Sequence, residues 1–106
     1  MTIDEYAEWA AAAVRPAGNS RAEGLAYLAL GLIGEAGELA DTVRKMMRED
    51  TLDEARLVYE LGDIAYHWAA LCAELGQTPS ALLARSQANI AARLATRQPP
   101  TTASSP

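Results

Sequence analysis

The chain is 106 residues long with a formal net charge of −5, half of it apolar and none of it Phe. That length allows one domain with a modest core, and the charge argues against a nucleic-acid polymer as partner while leaving open a free nucleotide, whose bound cations would invert the local field. A single cysteine, Cys72, excludes an internal disulfide; with no basic-then-apolar leader pattern and no uncharged run of membrane-spanning length, the expectation is a cytoplasmic protein with no membrane partner.

Alanine and leucine abound and β-branched residues are few, which favours helix. Thr2 with Glu5 is a capping-box pattern that predicts a first helix from Ile3 to Val14, ended by Pro16 and Gly18. Ser20-x-x-Glu23 repeats the pattern and opens a long second helix reaching Arg48, with Leu25, Leu28, Leu32, Ala36, Leu39 and Val43 as its apolar stripe. Thr51 is the expected cap of a third helix with Asp53 and Glu54 in its first turn; it runs to Leu75, and Gly76 stops it. Thr78-Pro79, a cap followed by proline at the first helical position, opens a fourth helix carrying Leu82, Leu83, Ile90 and Leu94 as far as Arg97. Residues 1–97 form the expected domain, and the Pro/Ser/Thr tail over 98–106 is expected to be disordered. Short connections predict an all-α, antiparallel four-helix bundle; the alternative is a hairpin of the two central helices completed only by a second chain. Self-association is expected in either case.

Two acid pairs stand out, Glu35-x-x-Glu38 in the second predicted helix and Glu60-x-x-Asp63 in the third. Residues three apart on a helix are neighbours, so each pair points two carboxylates the same way. Taken singly, such a pair is usually a solvated helix face. Here, at about 100° per residue, Glu60 and His67 fall on the apolar face marked by Leu57, Ile64 and Leu71, with Asp63 near its edge, and Glu35 borders the stripe of the second helix. Acids on an apolar face are costly to bury alone, and four in one cleft repel unless a cation sits between them. Oxygen-only donors suit a hard divalent ion, magnesium or manganese, which points to a metal-dependent phosphate site. Five mid-helix glycines, Gly24, Gly31, Gly34, Gly37 and Gly62, each cost about 1 kcal/mol against alanine, and close approach of a ligand or another helix is the usual reason. A di-iron carboxylate bundle would need Glu-x-x-His on two helices, and the chain has one His.

The run Leu30-Gly31-Leu32-Ile33-Gly34-Glu35-Ala36-Gly37-Glu38-Leu39-Ala40-Asp41, followed by Glu60-Leu61-Gly62-Asp63-Ile64, resembles the MazG-type nucleotide pyrophosphohydrolases, whose signature is E-x-x-E, a spacer, then E-x-x-D. The resemblance extends from the first predicted helix to the fourth. It implies an all-α enzyme that assembles as dimers or tetramers, binds magnesium (manganese being the alternative), and splits nucleoside or deoxynucleoside triphosphates into monophosphate and pyrophosphate, a nucleotide-pool house-cleaning role. Carried over by position, Glu35, Glu38, Glu60 and Asp63 would be the metal ligands and catalytic acids, one of them taking the proton of the attacking water.

Lys45, the only lysine, lies two turns beyond Glu38, where relatives often carry a basic residue, and would contact phosphate; a solvated lysine near a helix end is the equal alternative. His67 follows Asp63 where relatives show an aromatic pair, and would either support Asp63 beside the base or pack as a satisfied core histidine, whereas Trp68 reads as core. In the fourth helix relatives tend to carry Asn-x-x-Lys-Leu-x-x-Arg. Here Asn89 and Arg93, the matching substrate-binding candidates, are one residue further apart, which rotates one against the other by about 100°. Two other functions stay open: hydrolysis of a different pyrophosphate, such as a phosphorylated histidine-pathway intermediate, and a helical module that binds a nucleotide without turnover.

Overall fold

A computed structural model describes residues 1–97, and the expectation for the tail lies outside the described residues. Four α-helices organise them: α1 (Ile3–Ala13), α2 (Arg21–Glu49), α3 (Glu54–Glu74) and α4 (Pro79–Arg97). Each boundary has a local cause. Thr2 Oγ1 accepts from the Glu5 amide at 3.0 Å and Glu5 Oε1 accepts from the Thr2 amide at 2.7 Å, a reciprocal capping box. At α2 the Ser20 hydroxyl accepts from the Glu23 amide at 3.1 Å, but the Glu23 carboxylate reaches one residue further back, to the Asn19 amide at 2.6 Å.

The cap of α3 is Asp53, whose carboxylate accepts from the Arg56 amide at 3.0 Å, and not Thr51. Asp50 closes α2 in the left-handed region, φ 52°, and the Thr51 amide is tied back to the Met46 carbonyl at 3.0 Å. Thr51 therefore belongs to the exit of α2 and leaves capping to the next oxygen-bearing side chain. Gly76, at φ 71°, ends α3 in a Schellman turn, with Gln77 N–H bonded to the Cys72 carbonyl at 2.9 Å and Gly76 N–H to Ala73 at 3.0 Å.

Packing centres on α3. Its Ala69 and Ala70 bury against Ala7 and Ala10 of α1, with Tyr6, Val14, Tyr66 and Trp68 around them; the small side chains let the two helices approach closely. A second face of α3, with Leu57, Glu60, Ile64, His67 and Leu71, lies buried or half-buried toward α2, which contributes Leu28, Leu25, Leu32 and Leu39. Asp4 holds the start of α4 by accepting from the Ser80 amide at 2.9 Å and the Ser80 hydroxyl at 2.5 Å.

The helices do not close into a four-helix bundle within one chain. Among the described residues α2 packs on α3 alone, and α4 rests on α1 and α3. The radius of gyration is 18.1 Å, against roughly 13 Å for a compact chain of this length. Leu30, Ile33, Val58, Leu61 and Leu94 stay exposed, so within one chain α2 and α3 pair as a hairpin rather than as half of a closed bundle. No helix among the described residues is long and apolar enough to cross a membrane.

Candidate active site

Glu60 is the one charged side chain buried among the described residues, with 1% of its surface exposed. Helical phase puts it on the α2-facing side of α3, and two donors meet it there. Thr42 Oγ1 of α2 donates to Glu60 Oε2 at 2.8 Å, and Arg56 Nε, one turn earlier on α3, donates to the same oxygen at 3.0 Å. The other oxygen, Oε1, is buried and makes no hydrogen bond. A buried carboxylate oxygen without a donor is expensive.

The register of the hairpin locates the other acids. Thr42 lies against Glu60 at one point, and Gly31 lies against His67 at another, where a methyl group on Gly31 would sit 2.7 Å from His67 Cδ2. Glu35, Glu38 and Asp63 all fall within the stretch these two contacts bracket. Glu35 and Asp63 are half-buried, and Glu38 is exposed. A cleft of about 250 Å³ at this end of the hairpin is lined by Glu38, Asp41, Thr42, Lys45, Arg56 and Glu60. It adjoins another of about 270 Å³ toward the α2–α3 turn, and Thr42, Lys45 and Arg56 line both. Of the expected residues the cleft thus brings together Glu38, Glu60 and Lys45, while Glu35 and Asp63 lie further along the hairpin. Among the described residues no three acids, histidines or cysteines gather closely enough to hold one ion.

His67 Nδ1 faces the backbone carbonyl of Asp63 at 3.1 Å rather than its carboxylate. A carbonyl only accepts, so Nδ1 carries the proton. Tyr66 stands edge-on to the imidazole, and Trp9 of α1 stands edge-on to Tyr66. Asn89 and Arg93 are exposed on α4, which does not touch α2, and they line neither cleft. Cys72 is buried, and desolvation pushes its thiol up, opposed by a backbone hydrogen bond; that environment suits packing, not nucleophilic attack.

Asp41, Thr42 and Arg56 are the cleft residues that sequence reasoning missed. Asp41 stands three residues after Glu38, and Arg56 stands four before Glu60, spacings that place each beside an expected acid. Thr42 gave no such signal, because its partner lies 18 residues away.

The model of the MazG nucleotide pyrophosphohydrolase domain matches residues 24–101. The chain belongs to the MazG family. The match takes in both acid pairs and the whole of α3 and α4, and leaves α1 outside it. This MazG chain is also 43% identical over 58 residues to the Gene 37 protein of Mycobacterium phage L5, which covers 50% of the chain and 51% of that protein. The chain spans about half the length of the curated relative it matches. No solved structure matches it.

Proposed function

We propose that the chain is a magnesium-dependent pyrophosphohydrolase that cleaves a nucleoside or deoxynucleoside triphosphate to monophosphate and pyrophosphate, working as a homo-oligomer. The observation that carries this reading is Glu60, a carboxylate held at the edge of an acidic cleft with one oxygen satisfied and the other free. Such oxygen-only chemistry fits a hard divalent ion. Glu35, Glu38, Glu60 and Asp63 are the residues that would hold it, and when bound it supplies positive charge for the phosphate oxygens and for lowering the pKa of an attacking water.

The chain's own groups supply the rest. Thr42 and Arg56, from two helices, both donate to Glu60 Oε2 and leave Oε1 unpartnered. Lys45, exposed at the end of the cleft, is placed to attract a phosphate chain. Glu38, exposed and on the same cleft, is the acid best placed to accept a proton from water. A helical module that binds a nucleotide without turnover is kept as the second reading by one observation, the position of Asn89 and Arg93 away from the cleft.

The test is pyrophosphate release from a panel of ribo- and deoxynucleoside triphosphates, with and without magnesium, beside Glu60→Gln. We expect magnesium-dependent release with matching monophosphate, about a hundredfold to a thousandfold lower in the variant, as for loss of a key electrostatic group. Folding should change little, because Gln retains an oxygen for Thr42. Full activity in Glu60→Gln would refute the site. Binding of nucleotides without release would favour the second reading.

A further inference from the structure

Arg56 is badly placed for a residue that serves stability alone. It lies in the first turn of α3, where the helix macrodipole disfavours a cation. Its ion pair with Glu60 runs Arg-to-Glu along the chain, the weaker order for a helical i, i+4 pair. Half of its side chain is exposed while its partner is buried, so the pair sits at a cleft wall rather than in a core. The guanidinium has five N–H donors in a fixed fork, and Glu60 takes only Nε. The two Nη groups make no hydrogen bond among the described residues, and the Tyr59 ring, 5.4 Å from the guanidinium carbon, limits where the plane can swing. Arg56 and Lys45 both line the two adjoining clefts.

We propose that Arg56 joins the acid site to the substrate's phosphate chain. Through Nε it occupies Glu60 Oε2, leaving Oε1 as the single oxygen that carboxylate can offer a cation. Through its Nη groups it donates to a phosphoryl oxygen lying in the cleft opposite Lys45. The adjoining cleft toward the α2–α3 turn gives a linear polyphosphate room to run past Arg56, and neither an isolated phosphate nor a base is needed to explain the arrangement. The inference rests on the metal-dependent phosphate reading above and adds a specific phosphate-binding residue to it.

The experiment compares wild type, Arg56→Lys and Arg56→Ala in two titrations: manganese alone, followed by the spin resonance of the free ion, and inorganic tripolyphosphate in excess magnesium, followed by calorimetry. Removing Arg56 takes away one fixed positive charge and frees Oε2, so manganese should bind as tightly as in wild type or more tightly. Tripolyphosphate should bind about tenfold to a hundredfold more weakly in Arg56→Ala, the worth of one or two charge-assisted hydrogen bonds. Arg56→Lys should fall between the two, since an ammonium keeps the charge but cannot serve both oxygens. A loss of tripolyphosphate affinity with manganese affinity retained or raised is what a merely structural residue cannot produce. Equal weakening of both, or tripolyphosphate affinity unchanged in Arg56→Ala, would overturn the assignment. A wild-type chain that binds neither probe would overturn the phosphate-site reading itself.

Discussion

At the scale of single residues, Gly31 and His67 form the most constrained contact of the hairpin. Alanine normally gains about 1 kcal/mol over glycine inside a helix, yet a Cβ at Gly31 would meet His67 Cδ2 at 2.7 Å and Nε2 at 3.1 Å. To make room the imidazole would have to move, and its bond to the Asp63 carbonyl would go with it. We therefore expect Gly31→Ala to lower stability by about 1–2 kcal/mol in the parent chain, a clash and a lost hydrogen bond outweighing the helix gain. In a His67→Ala background the same change should stabilise by up to about 1 kcal/mol. A double-mutant cycle in urea reads the coupling directly, and a coupling near zero would show that the ring yields freely. Gly34, Gly37 and Gly62 are different, since among the described residues nothing lies within 4 Å of where their Cβ would stand. The expectation that mid-helix glycines mark close approach is met within the chain at Gly31, not at those three positions.

At the scale of elements, the caps explain both what the sequence revealed and what it concealed. Thr2, Ser20 and Thr78 cap the helices that their local patterns predict, because a cap is a contact within three residues. The start of α3 offers two good candidates within three positions, Thr51 and Asp53, and local rules do not choose between them. The choice is made by the left-handed turn at Asp50, which commits Thr51 to α2. Asp53→Ala should then cost about 1 kcal/mol and Thr51→Ala a few tenths, measured by thermal unfolding; the reverse ranking would mean that α3 starts earlier. The site shows the same division. The phase of α3 was enough to place Glu60 on a buried face, since phase is local. Thr42 as its donor, and the crowding of His67 on Gly31, depend on the register of two helices and leave no mark in either helix alone. The placement of α4 is of this kind too, because Asp4 holds Ser80 across 76 residues.

At the scale of the whole molecule, the open shape has a consequence for assembly. On α2, Leu30, Ile33, Gly34 and Gly37 are exposed, spaced as one stripe that turns away from α3. On α3, Val58, Leu61, Gly62 and Ala65 form another. The glycines have open space where a Cβ would stand, so another helix could come close over them. Exposed stripes on a two-helix hairpin are what a second hairpin would cover to complete a four-helix core, and a homo-oligomer built on these stripes would also bring a second copy beside Glu35 and Glu38. We expect light scattering to give a mass of two chains or more at micromolar concentration. Leu30 and Leu61 are 67% and 55% exposed, so the double change Leu30→Asp, Leu61→Asp should leave the helix content of one chain nearly intact. Each lost apolar anchor is worth about 2 kcal/mol when buried, and in a two-fold interface every residue counts twice. Even a single lost pair of anchors, about 4 kcal/mol, weakens association by roughly three orders of magnitude. A variant that stays oligomeric, or a parent chain that is monomeric, would place the assembly surface elsewhere or remove the need for one.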